Sequence, residues 1–163
     1  VKDSRGYLKN LHLAQILNFS EIQNDEKVLH IGGLTGYLSV LISKLCKDVY
    51  VTDNDQECVE NIERNFLENA ITNGHVFKKN FSEGLPDKGP FDLIIIDCPQ
   101  YNINLDLLNQ INVGGRILYI DKINDELSKA YKMTKYLNNY SKDFLFDVFS
   151  NFCLTKKIDG FNF

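Results

Sequence analysis

The feature that most constrains this sequence is a set of short, almost uninterrupted apolar runs that end in polar or glycine residues. The strongest run covers residues 91–96 and stops at Asp97, and another covers residues 27–31 and stops at a glycine pair. Strands that are apolar along their whole length belong in a sheet that is covered on both faces. These runs therefore predict strands in the middle of a sheet.

Helical patterns separate the apolar runs. Apolar spacing predicts helices at residues 8–18, 37–45 and 56–69. Further β-rich runs predict strands at residues 48–52, 75–77 and 116–120, with one or two helical turns at 104–110 and a tight turn at 113–115. Alternating strands and helices predict a parallel sheet with helices on both faces.

The C-terminal part of the chain is less regular. Residues 127–137 fit an amphipathic helix, but the alternation of Tyr131 and Met133 with polar neighbours also fits a strand, so periodicity leaves both open. Residues 144–149 are predicted to be a strand. A strand-rich end predicts antiparallel strands added at one edge of the sheet. The expected fold class is therefore α/β, a Rossmann-like, mostly parallel twisted sheet with antiparallel C-terminal edge strands.

Composition limits the number of domains and the kinds of partner. The chain has 163 residues, of which 44% are hydrophobic, so we expect residues 1–163 to form a single domain. A net charge of -4 gives no electrostatic reason to expect a nucleic-acid partner or an anionic membrane. No run approaches the roughly 20 apolar residues that span a bilayer.

The four cysteines are scattered along the chain without a C-x-x-C pair or a histidine at metal-binding spacing. This pattern predicts no metal site, and it predicts reduced thiols in a cytoplasmic protein.

The turn after the first predicted strand contains Gly32, Gly33 and Gly36, and Asp53 ends the second predicted strand. This is the usual place for a ligand in an open α/β sheet, although the glycines would also suit a merely tight turn. A dinucleotide loop needs G-x-G-x-x-G, which no register supplies because Leu34 takes the second glycine position. A methyltransferase loop of the form acidic-x-G-x-G-x-G fits better, with His30 in the acidic position.

Several segments together resemble one family. They are residues 29–37, the strand ending in Asp53, residues 83–86, residues 90–94, and residues 107–118 with Gln110 and the Gly114-Gly115 pair. In order and spacing they are similar to protein-L-isoaspartate O-methyltransferases. Leu145-Phe146-Asp147 and the ending Gly160-Phe161-Asn162-Phe163 are similar to a divergent bacterial branch. The resemblance favours a strand at residues 127–137 and implies that the N-terminal part of the family is missing from this chain.

The resemblance implies S-adenosylmethionine as the cofactor and a protein or peptide bearing isoaspartate as the methyl acceptor. The implied cofactor-binding residues are His30, Gly32, Gly33, Gly36, Asp53, Asn54, Asn80, Phe81 and Asp97. The glycines would run beside the methionine and ribose, and Asp53, helped by Asn54 and Asp55, would accept hydrogen bonds from the ribose hydroxyls. Asn80 would accept from the adenine amino group, with Phe81 beside it.

Asp97 would face the methyl-transfer cleft by this resemblance, although a loop-capping carboxylate is an equal alternative.

The chain departs from the family pattern at three cofactor positions. His30 and Asn80 replace carboxylates, and Leu34 replaces a glycine or small residue. The family's Ser-Gln-Pro element near the acceptor aligns with Leu8-Lys9-Asn10. A methyltransferase is therefore the first hypothesis, a degenerate binding or scaffolding protein of the same fold is the second, and a nicotinamide-dependent oxidoreductase is the third.

Overall fold

The computed structural model describes residues 6–150 and 152–153. Within these residues, seven strands form one sheet: β1 (Lys27–Ile31), β2 (Asp48–Asp53), β3 (Gly74–Lys78), β4 (Phe91–Gln100), β5 (Ile111–Lys122), β6 (Leu127–Lys135) and β7 (Tyr140–Phe149). The same described part contains three α-helices, which precede or connect the first strands: α1 (Asn10–Ser20), α2 (Tyr37–Ser43) and α3 (Gln56–Glu68). It also contains 3₁₀ helices at Pro86–Lys88 and Leu105–Gln110.

The sheet has the strand order β3-β2-β1-β4-β5-β6-β7. The first five strands are parallel to one another, and β6 and β7 are antiparallel additions at one edge. The chain order reverses between β1 and β4, which lie side by side. The predicted fold class is therefore confirmed, and the ligand position expected for an open α/β sheet falls at the carboxyl ends of β1 and β4.

Two apolar clusters cover the two faces of the sheet. The first, which includes Leu13, Leu38 and Ile62, packs all three α-helices against one face. The second, which includes Phe81 and Leu107, covers the other face with loops and the 3₁₀ helices. The α-helices therefore cover one face, whereas the other face carries a 3₁₀ helix and loops, because the crossover from β4 to β5 is short.

Several element boundaries differ from the sequence predictions, most clearly in β4 and β5. The tight turn predicted at residues 113–115 is a bulge inside β5, where Gly114 has a φ of 85° and the pairing with β4 shifts register. β4 continues past Asp97 to Gln100, which pairs with Asp121. The strand that the resemblance favours at residues 127–137 is confirmed as β6, which ends at Lys135 and pairs with β5 along most of its length.

The Gly160-Phe161-Asn162-Phe163 ending lies outside the described residues. In the part of the chain that the structure describes, no helix has both the length and the apolar composition needed to cross a membrane.

Gln110 joins the 3₁₀ helix Leu105–Gln110 to the loop that follows β3. Its side-chain Oε1 accepts a hydrogen bond from the Leu85 N–H at 2.7 Å, and its Nε2 donates to the Glu83 carbonyl at 2.8 Å. Both amide atoms are therefore used, and the side chain is buried. These two hydrogen bonds fix the loop at residues 83–85 over the second apolar cluster.

We expect Gln110→Ala to lower the free energy of unfolding by about 2 to 4 kcal/mol, because it leaves a buried N–H and a carbonyl without partners. Denaturant unfolding followed by circular dichroism measures the change. Asn109→Ala is the matched control, since Asn109 is the exposed neighbour, and it should change stability by less than about 0.5 kcal/mol. Equal effects of the two substitutions would contradict this role of Gln110.

Gly36 and Gly114 offer a matched test of how the glycine turn packs. Their φ angles are +84° and +85°, but a Cβ at Gly36 would lie 3.2 Å from the Ile62 Cα, whereas a Cβ at Gly114 would meet nothing within 4 Å. Alanine at either position carries the left-handed backbone penalty of about 1 to 2 kcal/mol. Gly36→Ala should destabilise the protein by about 1 to 3 kcal/mol more than Gly114→Ala, because α3 must also shift. Equal losses would show that the turn does not pack tightly on α3.

Candidate functional site

The parallel strands bring the predicted site residues to one edge of the sheet. The turn at residues 32–36 follows β1, Asp53 ends β2, Asn80 follows β3, and Asp97 lies near the end of β4. Because β1 is central, with β2 on one side and β4 on the other, the glycine turn lies between the two carboxylates. A ligand seated on the turn could contact both flanking strands.

The turn itself alternates between ordinary and left-handed backbone. Gly32, Leu34 and Gly36 have φ angles of 87°, 51° and 84°. The Gly32 N–H donates to the Thr52 carbonyl at 2.8 Å, which ties the turn to the end of β2. A Cβ at Gly33 would lie 2.6 Å from Val51 Cγ1, so this glycine allows close packing against β2. Gly33 and Gly36 therefore serve the packing of the turn as well as its shape.

Asp53 points toward the glycine turn and is fully buried. Its Oδ2 accepts a hydrogen bond from the Leu34 N–H at 3.1 Å, and its Oδ1 accepts one from the Asp55 N–H at 3.0 Å. The Asp55 carboxylate in turn caps α3 by accepting from the Glu57 and Cys58 N–H groups. The carboxylate at the end of β2 thus fixes the turn relative to the start of α3.

His30 is fully buried beneath the turn and bridges α2 to β4. Its Nδ1 lies 2.8 Å from Ser39 Oγ, and its Nε2 lies 3.2 Å from Asp97 Oδ1. The Asp97 side chain keeps 13% of its surface exposed. The sequence predictions included His30 and Asp97 but missed Ser39, whose signal is a serine inside the otherwise apolar stretch that starts α2.

The remaining predicted residues differ in exposure. Asn54 and Asn80 are exposed at the carboxyl edge, where their amides can meet a ligand. Phe81 is buried in the second apolar cluster, so its ring packs into the core in this conformation. A residue that the sequence predictions missed is Thr52, whose buried Oγ1 has no hydrogen-bond partner among the residues that the structure describes. A buried hydroxyl without a hydrogen-bond partner is unfavourable unless a ligand or a water molecule forms a hydrogen bond with it.

A narrow cleft opens over the turn. It has room for about 30 Å³, enough for one or two water molecules. Its described lining residues are Gly6, Tyr7, Leu8, Leu13, Gly33, Leu34, Thr35, Tyr37, Leu38, Asp97 and Cys98. Leu34 is 9% exposed and Tyr7 is 55% exposed. A ligand larger than a few water molecules can therefore enter this cleft only if Leu34, Tyr7 or both move.

The donor set of this edge fits an adenosyl cofactor better than a metal ion. Within the described part of the chain, buried Thr52 Oγ1 has no hydrogen-bond partner, and the Asp97 carboxylate lines the cleft over the turn. Within residues 6–150 and 152–153, no three histidine, cysteine or acidic side chains cluster closely enough to hold a metal. The chemistry of the residues fits the cofactor, whereas the cleft must widen to admit it.

Comparison with known families gives one match that covers most of the chain. Residues 8–145 match the profile of the family described as protein-L-isoaspartate(D-aspartate) O-methyltransferase. A protein-L-isoaspartate O-methyltransferase from Jannaschia sp. is 29% identical over 136 residues, which cover 83% of this chain and 60% of the relative. One from Myxococcus xanthus is 33% identical over 98 residues, which cover 60% of this chain and 46% of the relative.

Solved structures share the fold. A protein-L-isoaspartate O-methyltransferase structure superposes with a TM-score of 0.78 at 19% identity and covers 90% of this chain and 47% of that one. A structure assigned to the same enzyme of Plasmodium falciparum, in complex with S-adenosyl-L-homocysteine, gives a TM-score of 0.75 at 20% identity. It covers 96% of this chain and 80% of that one.

The chain spans about half the length of the curated relatives it matches, between 46% and 60% for the two named above. The family match nevertheless covers well over half of this chain. The resemblance drawn from the glycine turn, Asp53, Gln110 and the paired glycines is thereby confirmed. This chain belongs to the protein-L-isoaspartate(D-aspartate) O-methyltransferase family.

Proposed function

We propose that this chain is an S-adenosylmethionine-dependent O-methyltransferase that methylates the carboxylate of L-isoaspartyl residues in damaged proteins. The observation that carries the proposal is the buried carboxylate of Asp53, which points at the glycine turn at the carboxyl edge of the sheet. The P. falciparum structure with a similar fold contains S-adenosyl-L-homocysteine, the product form of that cofactor. Family membership supports the choice of acceptor.

The cofactor would lie across the carboxyl ends of β1, β2 and β3. The main chain from Gly32 to Gly36 would pass beside its methionine and ribose, and Asp53, with Asn54 at the rim, would hold the ribose hydroxyls. Asn80 and Phe81 would meet the adenine, which requires Phe81 to present its ring at the edge of the core. Asp97 would face the methyl-transfer end.

The proposed reaction needs little acid or base chemistry from the protein. S-adenosylmethionine supplies an activated methyl group when bound. An α-carboxyl group titrates near pH 3.5, so the acceptor oxygen is already ionised at pH 7 and no residue has to remove a proton. The work of this chain is to hold the acceptor oxygen in line with the methyl group and to exclude water. This accounts for a site built from glycines, carboxylates and apolar side chains.

The setting we propose is a single catalytic domain acting on protein or peptide substrates in the cytoplasm. The scattered positions of Cys46, Cys58, Cys98 and Cys153, without a C-x-x-C pair, support a reducing compartment. The acidic balance of the chain supports a substrate other than nucleic acid.

A degenerate binding protein of the same fold is the second candidate, and the narrow cleft favours it. Leu34 fills the place of a small residue, and the cleft over the turn admits only about 30 Å³. If Leu34 cannot move, the fold would persist without cofactor binding. The two candidates therefore differ in whether the cofactor can enter.

The proposed activity is tested with two synthetic peptides that differ only in an L-isoaspartyl or L-aspartyl linkage. We expect radiolabelled methyl transfer from S-adenosylmethionine to the isoaspartyl peptide and none above background to the aspartyl peptide. The product should release methanol in mild base, as a methyl ester does. Cofactor binding without transfer to the isoaspartyl peptide would reject this acceptor and favour the binding protein.

The role of Leu34 is tested by widening the cleft. Leu34→Ala and Leu34→Gly should each raise the affinity for S-adenosyl-L-homocysteine at least threefold in calorimetry, because each removes the side chain that occupies the cleft. Both variants should lose about 1 to 3 kcal/mol of stability from the missing apolar burial. Leu34→Gly should lose less, because glycine relieves the positive φ. Unchanged or weaker affinity in both variants would show that Leu34 does not limit entry.

A further inference from the structure

The chain lacks a carboxylate at the end of β1, where the family pattern places one. His30 occupies that position, fully buried, with its two ring nitrogens directed at Ser39 and Asp97. A buried imidazole that is bonded on both nitrogens has no ring nitrogen left for a ligand. Because an imidazole is neutral or cationic, the residue at this position cannot itself supply a negative charge to the cofactor.

We propose that Asp97, on the neighbouring strand β4, supplies this charge to the cationic amino-acid end of the cofactor, and that His30 is the positioning residue that holds Asp97. This inference rests on the proposed function. In this arrangement the carboxylate that faces the cofactor lies on β4 instead of on the neighbouring strand β1, and it still lies beside the glycine turn.

The sheet register makes this relocation geometrically direct. β1 and β4 are adjacent parallel strands in which His30 pairs with Ile95. Asp97 lies two residues beyond Ile95, so its side chain is on the same face as that of His30 and one step closer to the carboxyl edge. The contact of 3.2 Å between His30 Nε2 and Asp97 Oδ1 follows from this register.

The hydrogen bonds leave Asp97 able to act on a ligand. In the neutral tautomer with the proton on Nε2, His30 donates to Asp97 Oδ1 and accepts from the Ser39 hydroxyl, which gives partners to both ring nitrogens, to the hydroxyl and to one carboxylate oxygen. Asp97 Oδ2 accepts no hydrogen bond within the part of the chain that the structure describes. The His30 ring therefore fixes Oδ1 of Asp97, and Oδ2 remains able to accept a hydrogen bond from a ligand in the cleft.

The charge of the cleft supports the same role. Among its described lining residues, Asp97 is the only one with a formally charged side chain at pH 7. The rest of the lining is apolar, uncharged or glycine, so the carboxylate acts in surroundings of low polarity, where its attraction for a cation is stronger than in water. An ammonium or sulfonium group is a matched partner for such a site, whereas a purely structural carboxylate would need no access to the cleft.

The test uses two ligands that share the adenosine part. S-adenosylmethionine carries the ammonium and sulfonium groups, whereas methylthioadenosine has neither. We expect Asp97→Asn to weaken binding of S-adenosylmethionine at least tenfold in calorimetry and to change binding of methylthioadenosine less than twofold. Asp87→Asn, which changes an exposed aspartate, is the control and should leave both affinities unchanged.

A double substitution tests whether a carboxylate on β4 replaces the one that the family pattern places on β1. His30→Asp combined with Asp97→Asn returns the carboxylate to β1, and we expect it to recover at least part of the S-adenosylmethionine affinity that Asp97→Asn loses. Thermal unfolding shows whether the double variant is folded. If it does not fold, the comparison of the two ligands on Asp97→Asn still decides the proposal.

Two results would overturn the inference while leaving the proposed function intact. They are unchanged S-adenosylmethionine binding in Asp97→Asn, or an equal loss for both ligands, which would mark Asp97 as structural. If the wild-type protein binds neither ligand, the proposed function fails and the inference fails with it. A selective loss for the cationic ligand supports both.

Discussion

The hydrogen bonds of the Asp53 carboxylate are the interaction on which the site depends. One oxygen holds the Leu34 N–H in the glycine turn, and the other holds the Asp55 N–H at the start of α3. The turn, the end of β2 and α3 are thereby fixed to one another through one buried group. Packing of Gly33 on Val51 and of Gly36 on Ile62 supports the same arrangement. These contacts of the site involve β1, β2, α2 and α3, whereas the antiparallel strands β6 and β7 lie at one edge of the sheet.

The structure joins two functions in the same few residues. Asp53 stabilises the turn in the described conformation, and in the proposed enzyme it also holds the cofactor's ribose. His30 and Ser39 form a hydrogen bond with each other in the core. His30 also contacts Asp97, whose side chain lines the cleft. Such sharing explains how the sequence can depart from the family pattern at His30 and still keep a carboxylate at the edge of the turn.

Much of the fold follows from local sequence because its central strands are apolar and bounded by turn residues. The strand predicted at residues 27–31 coincides with β1, and the helix predicted at residues 56–69 differs from α3 by one residue. Residues 127–135 could not be assigned by periodicity alone, because only pairing with β5 decides between strand and helix. The contact of His30 with Ser39 and Asp97 joins residues that are 9 and 67 positions apart, so no local pattern predicts it. The closure of the cleft by Leu34 likewise depends on packing in three dimensions.

Titration of S-adenosyl-L-homocysteine into the wild-type protein and into Asp53→Asn measures whether the Asp53 carboxylate holds the cofactor. We expect one binding site in the wild-type protein with a dissociation constant below about 100 µM, which corresponds to about -5.5 kcal/mol. Asp53→Asn should bind at least tenfold more weakly, with thermal unfolding confirming that the variant is folded. Absence of binding to the wild-type protein at millimolar ligand would contradict this role of Asp53, as would equal affinities of the two proteins.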